Sequence, residues 1–501
     1  MNIKRTKEEI KNTIEAYLLK DAYGAYEIPS IRQRPIFLLG SPGIGKTQIM
    51  EQISRECGIG LVAYTITHHT RQSAIGLPFI SKKQYGQQEY AVTEYTMSEI
   101  VASIYEKMEQ TGLEEGILFL DEINCVSETL APAMLQFLQC KSFGNHKIPE
   151  GWIIVAAGNP PEYNKSVREF DVVTMGRVKK IEVEADFEVW KEYAYNQGLH
   201  GAVISYLNTK KQNFYQMETT IDGRHFATPR GWEDLSNLIQ VYERLKKTVD
   251  REVVVQYIQF PKIAKDFANY LELYYKYRTD YQIEEVLKGN LDPILLKKVA
   301  HASFDERLSV LGLLVSRVQE ALKASVQTEN YMELLQTCLL EFKKLTETVT
   351  EGMDGQKLLS NVYQKYNINY KKRKKAELLG KEENIQYCKL FSALENFQQT
   401  LKLEHIEQPG TAFGRIKQLF EQENEVFERQ RQSASKILEH AFDFLEGAFG
   451  NSQEMVIFIT ELNSNSSSVS FLQHYECERY YRYNKELLFD EKRRSLLERI
   501  S

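Results

Sequence analysis

Two patterns divide the chain. Short apolar runs alternate with amphipathic stretches through roughly the first 190 residues, and amphipathic stretches dominate the remainder. The runs are Pro35–Leu39, Leu61–Thr67, Ile117–Leu120, Trp152–Ala157 and Val178–Val183. Each is short and continuous, as expected of strands buried on both faces of a parallel sheet. Between them, residues 6–19 place Ile10, Ile14, Tyr17 and Leu18 at helical spacing. Residues 47–53 put Ile49, Met50 and Ile53 on one side, residues 97–109 return to helix, and a further helix carries Leu130, Met134, Phe137 and Leu138. Leu77–Ile80 and Glu89–Thr93 flank a polar turn with Gly86, which predicts a β-hairpin over residues 77–93.

From Asp186 the pattern turns helical, with Asp186 as N-cap and Gly198 as stop. Thr228-Pro229 opens another helix with Leu235, Leu238, Ile239 and Tyr242 on its apolar face. Beyond residue 250 the chain reads almost wholly helical. Ser303-Phe304-Asp305-Glu306 fits a capping box. Val310 to Leu322 and Tyr331 to Phe342 each carry an apolar face.

Apolar content of 43% and charged content of 26% are those of an ordinary globular chain. The net charge of −6 is spread over both halves, so neither reads as a basic nucleic-acid module. Lys371–Lys375 is the one basic run, and a solvated helix or loop is the expectation for it. No apolar run approaches the ~18 residues of a membrane span. The first residues, Met1 to Glu9, lack the apolar core of a signal peptide, so a cytoplasmic location is expected. The six cysteines show no C-x-x-C spacing and read as reduced thiols. His68 and His69 are neighbours, and neighbours on an extended chain point opposite ways. Residues 68–73 are therefore expected to form a structural loop rather than a metal site.

The chemistry concentrates at strand ends. Gly40-Ser41-Pro42-Gly43-Ile44-Gly45-Lys46-Thr47 fits G-x-x-x-x-G-K-[ST] and lies between a strand and a helix. Its glycines allow backbone N–H groups to turn onto a triphosphate, and the helix start adds partial positive charge. Lys46 is expected to reach the β and γ phosphates of ATP, and Thr47 to hold Mg²⁺. Asp121-Glu122 ends a central strand, with Asp121 expected on Mg²⁺ and Glu122 as the base for the attacking water. Asn159, at the tip of the next strand, has two readings: contact with the γ-phosphate or its water, or a plain turn before Pro160-Pro161. Arg230 falls in the first turn of its helix, where a cation opposes the dipole, and this hints at an anionic partner.

The ordered set of Gly40–Thr47, Ile117–Glu122, Gly158-Asn159-Pro160, Met175-Gly176-Arg177 and Thr228-Pro229-Arg230 resembles an AAA+ ATPase, within that superfamily the MoxR group. The resemblance covers roughly residues 25–245. It implies a P-loop α/β core over residues 1–185 and a helical lid over 186–295; the helical pattern beyond them is expected to form an accessory, partner-binding domain over 296–501. It makes Asn159 sensor 1, Arg230 sensor 2, and Arg177 the arginine finger acting in a neighbouring subunit, with Arg168 as the alternative. It further implies a homo-oligomeric ring, a hexamer by the family pattern. A protein client, or a partner with a von Willebrand A domain, is implied in the same way. Two other functions share these motifs: a nucleic-acid motor gripping DNA with hairpin 77–93 and the basic run, and a nucleotide-gated scaffold.

Overall fold

The computed structural model describes residues 1–487 apart from His69, 164–166, 168–169, 221–222 and 349–353. The chain forms two compact units, Met1–Val189 with Ile368–Gly380, and Trp190–Asn367 with Lys381–Ser501.

The first unit opens with α1 (Ile3–Leu18), β1 (Ile36–Gly40), α2 (Lys46–Cys57), β2 (Gly60–Thr65) and α3 (Arg71–Ile75). Next come β3 (Pro78–Tyr85), β4 (Gln88–Tyr95), α4 (Glu99–Thr111), β5 (Gly116–Asp121) and α5 (Ala131–Cys140). The short pair β6 (Ser142–Phe143) and β7 (His146–Lys147) leads to β8 (Trp152–Gly158), α6 (Val172–Met175), β9 (Lys179–Val183) and the first turn of α7 (Phe187–Gln197). Five strands make one sheet in the order β2-β5-β8-β1-β9, every neighbouring pair parallel. This is the parallel sheet with flanking helices that the apolar runs predict. β8 is buried at every position and β5 at all but its last, which is why both are continuously apolar. Leu118, Leu120, Ile154 and Ala156 pack on Ile100 and Ile104 of α4 and Met134 and Phe137 of α5.

The expected hairpin is β3–β4, paired from Pro78↔Tyr95 to Tyr85↔Gln88. Residues 68–73, expected as a loop, instead contribute to a 3-10 turn over Ile66–His68 and to the start of α3. His69 lies outside the described residues.

One buried cation ties the segment before β1 to the core. Lys141 caps α5 in a left-handed conformation, φ 53°, and its Nζ donates to the Ser30 carbonyl at 2.7 Å. Burial pushes its ammonium down to about 8. An unfolded lysine keeps its proton to about pH 10.4. From pH 8 upward the unfolded chain therefore binds more protons than the folded one, and stability rises with pH. Lys141→Met removes this linkage, so the parent is expected to gain about 2 kcal/mol on the variant between about pH 8 and pH 10. Urea unfolding at both pH values, read by pulsed hydrogen exchange on β8, measures that gain. An equal stability gap at both pH values would mean that Lys141 keeps an ordinary lysine titration.

The second unit holds the rest of α7, α8 (Gly201–Thr209), β10 (Gln216–Thr220) and β11 (Gly223–Ala227). Among the described residues only helices come after these: α9 (Pro229–Arg244), α10 (Arg251–Tyr257), α11 (Pro261–Asp280), α12 (Ile283–Leu287), α13 (Pro293–Ala300) and α14 (Phe304–Thr348). The last of them are α15 (Gly355–Lys375, whose residues from Ile368 onward count with the first unit), α16 (Lys381–Leu403), α17 (Pro409–Phe449), α18 (Gln453–Asn463) and α19 (Ser466–His474). The stretch expected as a helical lid is thus interrupted by an antiparallel ribbon, Gln216↔Ala227 to Thr220↔Gly223. β-branched Thr219 and Thr220 favour extended backbone, and Gly223 sits at φ +130°, open in practice only to glycine. The two apolar faces expected over residues 310–342 lie on one 45-residue helix, because nothing between them breaks it. Lys371–Lys375 ends α15, where cations suit the helix dipole. Among the described residues, no helix is long and apolar enough to cross a membrane.

Candidate active site

β1 lies between β8 and β9, while β2 lies at the far edge beyond β5. Parallel sheets leave a crevice at the carboxyl ends of strands where the order reverses in this way. The loop from Gly40 to Lys46 occupies it. Gly45 caps α2 at φ +96°, a left-handed conformation that strains any side chain. That conformation aims successive N–H groups into the crevice at the helix start. Ser41, Pro42 and Gly43 are half-buried, and Ile44 is buried.

Lys46 is buried, and its Nζ donates to Gly40 O at 2.6 Å, Ser41 O at 2.9 Å and Asn159 Oδ1 at 3.0 Å. Thr47 Oγ1 donates to Asp121 Oδ2 at 3.0 Å. Register explains the convergence. Leu39 stands opposite Gly158, so Asn159 emerges beside the loop, and β5 brings Asp121 to the same edge. A Thr hydroxyl beside a carboxylate is a hard oxygen pair, a donor set that fits Mg²⁺ shared with phosphate and water oxygens.

Glu122 comes next at φ 56°, sparsely populated for a residue with a side chain. Strain of this kind gathers at working sites. Its N–H donates to Asp121 Oδ1 at 2.9 Å, and its Oε2 accepts from Thr67 Oγ1 at 3.0 Å. Asn124 is buried and clamps the peptide groups of Asn159 from both sides. Its Nδ2 donates to Asn159 O at 2.8 Å, and Asn159 N donates to its Oδ1 at 3.3 Å. A Cβ at position 158 would lie 2.6 Å from Asn124 Oδ1, so glycine is what admits the clamp.

The structure therefore brings together Lys46, Thr47, Asp121 and Asn159, with Glu122 next in the chain. Arg177 stands apart from that group. It is exposed after α6, and its Nη1 donates to Gln139 Oε1 of α5. Arg168 lies outside the described residues. Arg230 belongs to the second unit, exposed on the first turn of α9, where Thr228 Oγ1 caps Gly231 N at 3.2 Å. Sequence patterns give Asn124 no role and make Thr67 a strand residue. Their part in the site comes from strand order: β2 beside β5 sets Thr65 opposite Asp121 and so brings Thr67 near Glu122.

Residues 35–175 match a family model described as "AAA domain (dynein-related subfamily)". The chain thus carries an AAA+ ATPase domain, succeeded by a helical C-terminal region. No curated protein is found to match it. Among solved structures it is similar to a provisionally named ATPase from Cytophaga hutchinsonii ATCC 33406, at 15% identity and a TM-score of 0.21. The match covers 36% of this chain and 51% of that one, so this chain spans about half the length of that structure.

Proposed function

We propose that the chain binds and hydrolyses ATP, and that it works as a MoxR-like ring whose ATP cycle remodels or assembles a protein client. The observation that carries the hydrolytic part is the convergence of Lys46, Thr47, Asp121 and Asn159 at one sheet edge.

Lys46 supplies fixed positive charge to the β and γ phosphates, and loop N–H groups supply the remaining donors. Thr47 and Asp121 would hold Mg²⁺, whose charge would offset that of the phosphates. Glu122 accepts the proton of the attacking water. Asn159, its backbone clamped by Asn124, orients that water or touches the γ-phosphate. Arg177 from a neighbour adds positive charge as the transition state forms, and a sensor 2 role for Arg230 rests on the family resemblance alone.

The hairpin supports a protein client over nucleic acid. Its Lys82 and Lys83 pair across the strands with Glu89 and Glu94, leaving little net charge for a polyanion. Its exposed large side chains, Phe79, Ile80, Tyr85 and Tyr90, suit apolar contact. A von Willebrand A partner rests on the family resemblance alone.

Lys46→Ala tests the site. Removing the cation is expected to raise the dissociation constant for ATP by about 10- to 150-fold, since a charge-assisted contact to phosphate contributes about 1.5–3 kcal/mol. Calorimetric titration reads this directly. Parent-like affinity would remove Lys46 from the nucleotide site.

A further inference from the structure

The second unit contains a cavity of about 570 Å³, between α8, α11 and α14 and the last turn of α9. Organic ligands occupy cavities of this size, ~300–1,000 Å³. It uses none of the residues assigned to ATP.

Its walls divide by chemistry. Leu199, Ile204 and Leu313 give an apolar side. Five cations line the remainder: Arg244, Arg278, Arg317, Lys323 and Lys381. Two acids line it with them, Glu243 and Glu320. The acids are already engaged. Glu243 Oε1 lies 3.3 Å from His200 Nε2 and 3.8 Å from Arg278. His200 Nδ1 accepts from Ala202 N, which leaves Nε2 to donate to Glu243. Glu320 pairs with Arg317 at 2.8 Å. Just outside the lining, Glu284 pairs with Arg278 and Arg317, and Glu382 pairs with Lys323.

Arg244 and Lys381 are left over. Arg244 donates only to the Gln240 carbonyl of its own helix, and Lys381 has no carboxylate within ion-pair distance among the described residues. Two cations without counter-charge among the described residues thus face a cavity whose half-buried arginines are held in place by acids. A planar guanidinium and an ammonium suit a phosphate head, while the apolar side suits an organic body.

We propose that this cavity is a binding site for a small phosphorylated organic metabolite, with the phosphates held by Arg244 and Lys381 and the body against Leu199, Ile204 and Leu313. The full-length chain and an Arg244→Glu/Lys381→Glu variant are each titrated calorimetrically with inorganic pyrophosphate and with AMP. Both changes are at exposed positions with no ion pair to lose among the described residues, and circular dichroism melts check the fold. Any binding at the Gly40–Thr47 loop is common to both proteins. The parent is expected to show an additional binding event that the variant has lost or that is about 100-fold weaker in it. Arg244→Lys, which keeps the charge, should retain most of it. Identical titrations of parent and variant would overturn the proposal. So would a hexaglutamate peptide that binds in a manner dependent on Arg244 and Lys381 where pyrophosphate and AMP do not, since the site would then take an acidic protein segment.

Discussion

Glu122→Gln is expected to bind ATP as the parent does and to hydrolyse it about 10²–10⁴ times more slowly. The amide keeps the size of the carboxylate, and its oxygen can still accept from Thr67 Oγ1, so the turn at φ 56° has no reason to change. What is lost is basicity, because a neutral amide takes no proton from the attacking water. The strained backbone strengthens the expectation. A left-handed glutamate costs free energy, and a glycine or asparagine would sit there more easily. Calorimetric binding of ATP and phosphate release by the same preparation separate the two effects. Unchanged turnover would move the base to another residue. Lost binding would instead make Glu122 part of the cradle. The variant, stalled with ATP bound, is also the form in which a client should be captured.

The site divides into what periodicity shows and what only strand order shows. The loop from Gly40 to Thr47 and the acids at the end of β5 are legible because each is a local pattern beside a buried strand. The reach between them is not local. Thr47 and Asp121 are 74 residues apart, and Lys46 and Asn159 are 113 apart. Their meeting depends on β8 pairing with both β1 and β5. Parallel strands that are apolar throughout carry no mark of their neighbours, so Asn124 and Thr67 have no visible task in the sequence. The same blindness applies elsewhere. β10 and β11 are too short for alternation to stand out, although Gly223 marks their turn. The cavity gathers cations from α9, α11, α14 and α16, whose sequence positions range from 244 to 381. Composition reports those charges without reporting that they converge.

Arg177→Ala is expected to bind ATP normally, to hydrolyse it about 10³–10⁵ times more slowly, and to regain activity when mixed with Lys46→Ala. The hypothesis behind this is action in trans. Arg177 is exposed, bonded sideways to Gln139 and not to the Lys46–Asn159 group of its own chain. Val172 and Val173 beside it are 87% and 62% exposed, an apolar corner suited to a second copy of the chain. In a mixed ring, an Arg177→Ala subunit keeps its phosphate loop and can receive Arg177 from a Lys46→Ala neighbour, so some sites become complete. A finger acting within its own subunit predicts the opposite, because neither mutant subunit would then hold a complete set and mixing would restore nothing. Phosphate release measured across mixing ratios distinguishes the two. Parent-rate turnover by Arg177→Ala alone would remove the residue from the site and make Arg168→Ala the next variant to measure. If both arginine variants turn over normally and the rate per subunit is independent of protein concentration, catalysis needs no neighbour, and the ring is unnecessary for hydrolysis.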